Sequence, residues 1–482
     1  MGLKAIGEHV ENSKITHVLR RALSSYFFPL ATACVSVVCY YLGWDIVTIW
    51  YMCICGTAIM VCCKDVTPVI CIFLFLNILV SVKHCPAYMG AASDYFTRPA
   101  VLGQAIVAVA FFAGSMVFRL VTGIVSRRFR LSPFFFGMVA LCVAFAFGGL
   151  FSTQYTPLNL MYGLALSVTI LGIFTFVCGN IQIDEKTFVK LAYYLVTLFA
   201  AVAFELLIAY CTYDGLIVDG EVIRSKLFFG WGTYNQMGML LTLTLPSWFY
   251  LASKYKYGTA FLLGALVNVA ACCLCFSRQA LLMGSVIFAA CCVWLLGWDK
   301  GKKRIINVSV MACILVIAAI VLGIKHREVA QFFSSMLGNL KTGSGRIAIW
   351  KDGLRNFLSK PVFGVGFYKP SSAPGDVGYY GGGIAFSIPV MCHNTIVQIV
   401  STCGLFGLIT YVIHRTQTVI SLINNITHER VFVAMTMCAL LLVSLLDNHI
   451  FYFLPTIIYA VLAALLSVTE KKRVGGELTV TL

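Results

Sequence analysis

Long apolar runs recur along the whole chain, separated by short stretches that are polar and mostly basic. Runs of about 18 or more such residues are the signal for helices that cross a bilayer. The pattern predicts helices near 26–44, 46–63, 66–82, 101–123, 133–151, 160–179, 191–213, 236–253, 259–277, 280–298, 305–324, 394–413, 431–447 and 450–468. That gives an all-α, polytopic membrane bundle of about 12–14 transmembrane helices, with residues 1–482 as a single integral membrane domain. One segment breaks the rhythm. Residues 325–393 are mixed, Gly-rich and basic, and a loop of that length inside a membrane protein is functional or disordered. Within it Ile347, Trp350, Leu354 and Phe357 recur at helical spacing. Lys351, Asp352, Arg355 and Asn356 fall on the other side. The expectation is a short amphipathic helix at the membrane surface.

Composition agrees. With 60% hydrophobic and 11% charged residues and a mean hydropathy of +0.90, a soluble globular chain is excluded. No cleavable leader pattern precedes the first apolar run, which opens at Tyr26. The 20 cysteines mostly sit inside apolar runs, as at Cys62-Cys63, Cys272-Cys273 and Cys291-Cys292. There they read as small hydrophobes. No Cys/His group has metal-ligand spacing, and the sequence calls for no metal and no cofactor.

Charge orients the bundle. With the N-terminus in the cytoplasm, the clusters Lys14/Arg20/Arg21, Arg127/Arg128/Arg130, Lys300/Lys302/Lys303/Arg304 and Lys471/Lys472/Arg473 all fall inside. Both termini are then cytoplasmic, and residues 325–393, Arg278 and His393 are external. The net charge of +16 is mostly topological. It suits anionic lipid headgroups and implies no nucleic-acid partner.

Several outer residues can carry chemistry. Arg278 opens a membrane helix, where an arginine either snorkels to headgroups or faces a cavity. Arg346 offers a second planar fork beside the surface helix. Two such forks converging on a diphosphate would stabilise a leaving group that gains negative charge. His393 precedes an apolar helix on the same face; it can serve as a proton-accepting base or simply cap or hydrogen-bond there with Asn394. His449, beside Asp447 and Asn448, is a second candidate base in what otherwise reads as a polar turn. Asp219 and Glu221 can hold a divalent cation or form a plain solvated loop. Glu205 and Arg119 are the main ionisable residues expected in mid-membrane, too few for an ion-coupled transporter.

The pieces Gly345-Arg346, Trp350, Pro361-Val362-Phe363-Gly364-Val365-Gly366, His393-Asn394 and Gly404-Leu405-Phe406-Gly407 occur in an order that resembles the O-antigen ligase and Wzy-type polymerase superfamily of bacterial membrane glycosyltransferases. Asn235 before an apolar run and Ser277-Arg278 fit the same pattern, so the resemblance covers roughly the second half of the chain. It implies a polyprenyl-diphosphate-linked glycan donor (undecaprenyl diphosphate in bacteria) and a glycan or glycolipid acceptor. It also implies a metal-free arginine clamp of Arg278 and Arg346 on that donor. With His393 as base, one base and one clamp suit a direct displacement with inversion, and the charge pattern sets it at the external face of the cytoplasmic membrane. Asn235, Asn394, Arg355 and His449 are supporting candidates. Arg355 and Gly366 have the arginine-ten-residues-glycine spacing associated with polymerases, but the 214–235 loop lacks a second copy, so ligase and polymerase both stay open. A polysaccharide or lipid exporter is the alternative from another class.

Overall fold

The computed structural model describes residues 13–84, 95, 98–122, 128–130, 133–153, 155–218, 221–324, 327, 334, 346–370, 387–469 and 479–481. The Gly- and Tyr-rich stretch around Tyr379-Tyr380, together with Asp219, Lys341 and Gly345, lies outside them. Every predicted apolar run is helical. The first half contains α1 (Lys14–Leu23), α2 (Phe27–Leu42), α3 (Asp45–Cys62), α4 (Thr67–Phe75), α5 (Pro99–Thr122), α6 (Pro133–Ala146), α7 (Pro157–Asn180) and α8 (Glu185–Thr212). The second contains α9 (Tyr234–Lys254), α10 (Phe261–Leu274), α11 (Arg278–Trp298), α12 (Gly301–Ile324), α13 (Arg346–Ser359), α14 (Thr395–Asn424), α15 (His428–Leu445) and α16 (Phe453–Val468).

Local chemistry sets the starts. Pro99, Pro133 and Pro157 each stand first in a helix, where the missing N–H costs nothing and φ is already helical. Polar side chains close others. Asp184 caps α8, Thr233 caps α9 in a capping box with Gln236, Ser277 caps α11, Asn394 caps α14 and Thr427 caps α15.

Among the described residues, seven helices can cross a membrane by length and composition: α3, α5, α7, α8, α11, α14 and α15. The α1–α2 pair, bent by 73°, qualifies together. Four more apolar helices are shorter: Thr67–Ile78, Phe134–Ala146, Gly258–Leu274 and Phe453–Val468. The predicted spans 66–82, 133–151 and 259–277 are therefore too long. Apolar residues at the ends of those runs sit in turns, which hydropathy cannot tell from helix. The loop near 214–235 is also more ordered than expected. It folds into two small hairpins, Ile217–Val218 with Glu221–Val222 and Phe228–Phe229 with Gly232–Thr233.

One hydrophobic cluster runs from Leu23 to Leu466. Its centre is α9, which is buried almost all round from Met237 to Ala252, the mark of a helix with no lipid-facing side. Buried arginines bind helix ends together on the side that charge assigns to the cytoplasm. Arg119 donates to the carbonyls of Met60, Cys63 and Lys64 at 2.6–2.8 Å and to Asn180 Oδ1 at 2.6 Å. Arg430 donates to the carbonyls of Leu466 (2.6 Å) and Ser421 (2.9 Å). Buried ionisable residues are thus more numerous than expected: Asp45, Asp299, Arg430, Asp447 and the histidines His414, His428 and His449 join Glu205 and Arg119.

α14 is longer than predicted and is broken at Gly404 (φ 63°, ψ −156°). In an unbroken helix the amides of Leu405 and Phe406 would bond to the carbonyls of Ser401 and Thr402. Instead Leu405 N bonds to Pro361 O (2.7 Å) and Phe406 N to Val362 O (3.1 Å). The Ser401 and Thr402 carbonyls take Val365 N (2.9 Å) and Gly366 N (3.0 Å). The segment 361–366 is therefore a strap that satisfies the break. It fits only without side chains at two points. A Cβ on Gly404 would lie 2.4 Å from Val362 O, and one on Gly364 (φ 68°) would lie 2.4 Å from the Thr402 carbonyl carbon.

The helix α13 is where the pattern placed it, but its packing face differs. Gly353 is its buried residue, set against Val397 and Cys392, while Ile347, Leu354 and Leu358 are exposed. The predicted apolar stripe is split, with Trp350 and Phe357 half-buried and Ile347 and Leu354 exposed, and the closest approach to the bundle is at a glycine.

Gly404→Ala is expected to lower the thermal midpoint of the detergent-purified chain by several degrees at fixed scan rate. The backbone there is glycine-only territory, at about 1–3 kcal/mol for another residue, and the new methyl displaces the strap. Gly114→Ala, with open space around it, serves as the reference; an unchanged midpoint in both would contradict this account.

Candidate active site

At the end of the bundle opposite Arg119 and Arg430, four helix starts and one interhelical turn meet: the N-termini of α9, α11, α13 and α14, and residues 446–452 between α15 and α16. The helices deliver Asn235, Arg278, Arg346 and His393-Asn394 to one place. The sequence had placed these residues on one face, and the tertiary structure makes them neighbours.

A cavity of about 130 Å³ is lined by Arg224, Tyr234, Asn235, Arg278, Gln279 and Arg346. Among the described residues no carboxylate lines it. Arg278 lies within the electrostatic reach of both Arg224 and Arg346. The backbone just before Arg278 is left-handed at Phe276 (φ 53°), which turns the chain so that Ser277 caps α11 and Arg278 begins it.

Asn235 joins this cavity to His393. Its Oδ1 accepts from Ser277 Oγ (3.1 Å) and its Nδ2 donates to Asp447 Oδ2 (3.3 Å). The other oxygen of Asp447 takes His393 Nδ1 at 2.8 Å and the Asn448 amide at 2.8 Å. Asp447 is buried. Burial alone would raise its pKa, but the His393 hydrogen bond, the charges of His449 and His393 and the Asn448 amide together hold the carboxyl well below its ordinary range. It is an anion, so His393 Nδ1 carries the proton it donates and Nε2 is left as the basic nitrogen.

His393 itself is half-buried and adopts φ 46°. A non-glycine residue in the left-handed region costs about 1–3 kcal/mol and persists only where its surroundings hold it. Here they do. Asn394 caps α14 through Oδ1 to the amides of Ile396 (2.9 Å) and Val397 (3.0 Å), and its own amide donates to Asn448 Oδ1 (2.9 Å). Gln398 Oε1 takes the Cys392 amide and Asn448 Nδ2, both at 2.8 Å. Capping therefore falls to Asn394, and His393 is free of that duty.

Two supporting candidates are placed differently from expectation. His449 is fully buried, and Gln279 Nε2 lies 2.7 Å from its Nε2. The amide can only donate, so the ring nitrogen accepts. Burial lowers its pKa, the Asp447 charge opposes that, and His393 and Arg346 add to the lowering. A neutral, enclosed ring is a packing element and not an accessible base. Arg355 pairs with Asp352 at 3.0 Å on the exposed side of α13, away from the cavity. Sequence reasoning missed two members. Asp447 carried a signal, since a carboxylate between two apolar helices needs a partner. Arg224 carried none. Asp219 is outside the described residues, and among those described no group of three His, Cys, Asp or Glu side chains has metal-binding geometry.

No curated protein matches the chain in sequence. Residues 260–412, about a third of the chain, match the model of a family described as O-antigen ligase. The matched stretch carries Arg278, Arg346, the strap, His393 and the break at Gly404; Arg224, Asn235 and Asp447 lie outside it. The similarity to the O-antigen ligase and Wzy-type superfamily thus rests on a match to the family itself, over the segment that builds most of this site.

Proposed function

We propose that this chain is a glycosyltransferase of the cytoplasmic membrane that moves a glycan from an undecaprenyl-diphosphate carrier to an acceptor hydroxyl on a glycan or glycolipid. The observation that carries the reading is the hydrogen-bonded path from the arginine-lined cavity through Asn235 and Asp447 to His393. Arg278 and Arg346 bind the diphosphate by its oxygens and offset the charge that develops as the glycosyl bond breaks. His393 Nε2 accepts the proton of the attacking hydroxyl, and Asp447 holds the ring in the required tautomer and stabilises the imidazolium. One base opposite one anion-binding cavity suits a single displacement with inversion. Charge asymmetry puts the site at the external face and both termini in the cytoplasm.

Purified variants with a lipid-diphosphate glycan donor test the roles. Arg278→Ala and Arg346→Lys are each expected to lose about a hundred- to a thousandfold in rate, the lysine because it keeps charge but lacks the fork. His393→Ala is expected to lose on the order of a hundred- to ten-thousandfold. Asp447→Asn belongs with it, because it removes the negative charge that stabilises the imidazolium. Lys351→Ala, exposed on α13, is the reference. Transfer at the reference rate by all four variants would sink the assignment.

Two further outcomes are expected. Transfer continues in EDTA, because the arginines supply the positive charge at the diphosphate. Loss restored by magnesium or manganese would instead move attention to Asp219 and Glu221. A fluorescent reporter that matures only in the cytoplasm is silent when fused after Gly375 and bright at the C-terminus; the reverse pattern would invert the orientation.

A further inference from the structure

Arg224 sits in the short turn Arg224–Lys226 between the two hairpins that precede α9. The turn is well rooted. Leu227 and Phe229 are buried, Leu227 N bonds to Arg224 O (3.1 Å), and Tyr234 N bonds to Leu227 O (3.1 Å). The Arg224 guanidinium lies over the Tyr234 ring, 4.9 Å from its centroid, which fixes the direction of the side chain. Tyr234 is the residue before Asn235 in α9, so the same helix start aims Arg224 into the cavity and ties the cavity to Asp447. The neighbouring cation turns elsewhere, with Lys226 Nζ donating to the Asp214 carbonyl at 3.3 Å. Among the described residues neither Arg224 nor Arg346 pairs with a carboxylate, and three arginines line a cavity that holds no acid. Three like charges gathered at one cavity point to an anionic ligand of more than one charge.

We infer that Arg224 is a third anion-binding arginine, matched to the charge that the diphosphate gains during transfer. This rests on the function proposed above. In that step the acceptor oxygen bonds to the anomeric carbon and its proton passes to His393. The bond from the anomeric carbon to the phosphate oxygen breaks, and its electron pair leaves with the diphosphate. A diphosphate diester thereby becomes a monoester bearing one more negative charge. Two forks suit the donor; the third cation suits the product and the transition state that leads to it. Interactions that strengthen along the reaction raise kcat more than they tighten donor binding.

The test uses the full chain in lipid nanodiscs, with inorganic pyrophosphate and farnesyl diphosphate as binding probes and the lipid-linked donor for kinetics. The wild type is expected to bind both probes. Arg224→Gln is expected to bind them roughly tenfold more weakly. Its kcat should fall about a hundredfold, while KM for the donor stays within roughly threefold. Arg224→Lys, which keeps charge without the fork, should fall between; it carries the test if the glutamine variant does not give a normal unfolding transition. Probe affinity and kcat unchanged in both variants, with a wild type that binds, overturn the role of Arg224 alone. A rise confined to KM also overturns it, since Arg224 would then serve donor binding only. A wild type that binds neither probe overturns the diphosphate reading of the cavity itself.

Discussion

The exchange of four backbone hydrogen bonds at Gly404 sets the geometry of the second half of the molecule. A break inside a membrane helix leaves amides and carbonyls that lipid cannot satisfy, so it survives only where other protein groups take them up. Here the strap 361–366 takes them all. It accepts from Leu405 and Phe406 and donates to Ser401 and Thr402. Because the strap follows directly from α13, the exchange locks that helix against α14. Asn356 Nδ2 to Ser401 Oγ (3.3 Å) and the close approach at Gly353 extend the same seam. Arg346 at the head of one helix and His393 just before the other are thereby held in register. Glycine and proline motifs that look like loop punctuation are in this chain the parts of a joint.

The site built on that joint keeps its charges in two different ways. The one buried anion, Asp447, is surrounded by donors: His393, Asn235 and the Asn448 amide. A buried carboxylate so paired is tolerable and directional, and it fixes a tautomer that His393 alone would not have. Three cations stand together at one cavity, and neither Arg224 nor Arg346 pairs with a carboxylate among the described side chains. Arg119 and Arg430 show what arginine does elsewhere in the same bundle, where carbonyls at helix ends absorb their donors. The same residue type is a staple at one end of the molecule and lines a cavity at the other, and the difference lies in what faces it.

The all-helical membrane class, the positions of the helices and the existence of α13 were legible in the sequence, because each follows from local hydropathy and a 3.6-residue period. Arg278, Arg346 and His393 stood out in the sequence as chemically apt candidates beside apolar runs, and the structure sets them at helix starts at one end of the bundle. Three things were decided only by tertiary structure. The packing of α13 turned on Gly353, with only Trp350 and Phe357 of the predicted stripe half-buried, because close backbone approach has no hydropathy. His449 and Arg355 were set apart from the cavity by a bond to Gln279 and a pair with Asp352, which no spacing rule contains. Asp447 and Arg224 were brought in from 54 residues after His393 and 54 before Arg278. Sequence determines what each segment can be by itself, since period and polarity act over a few residues. Which segments share a hydrogen bond depends on how the helices cross, and that is fixed by long-range packing.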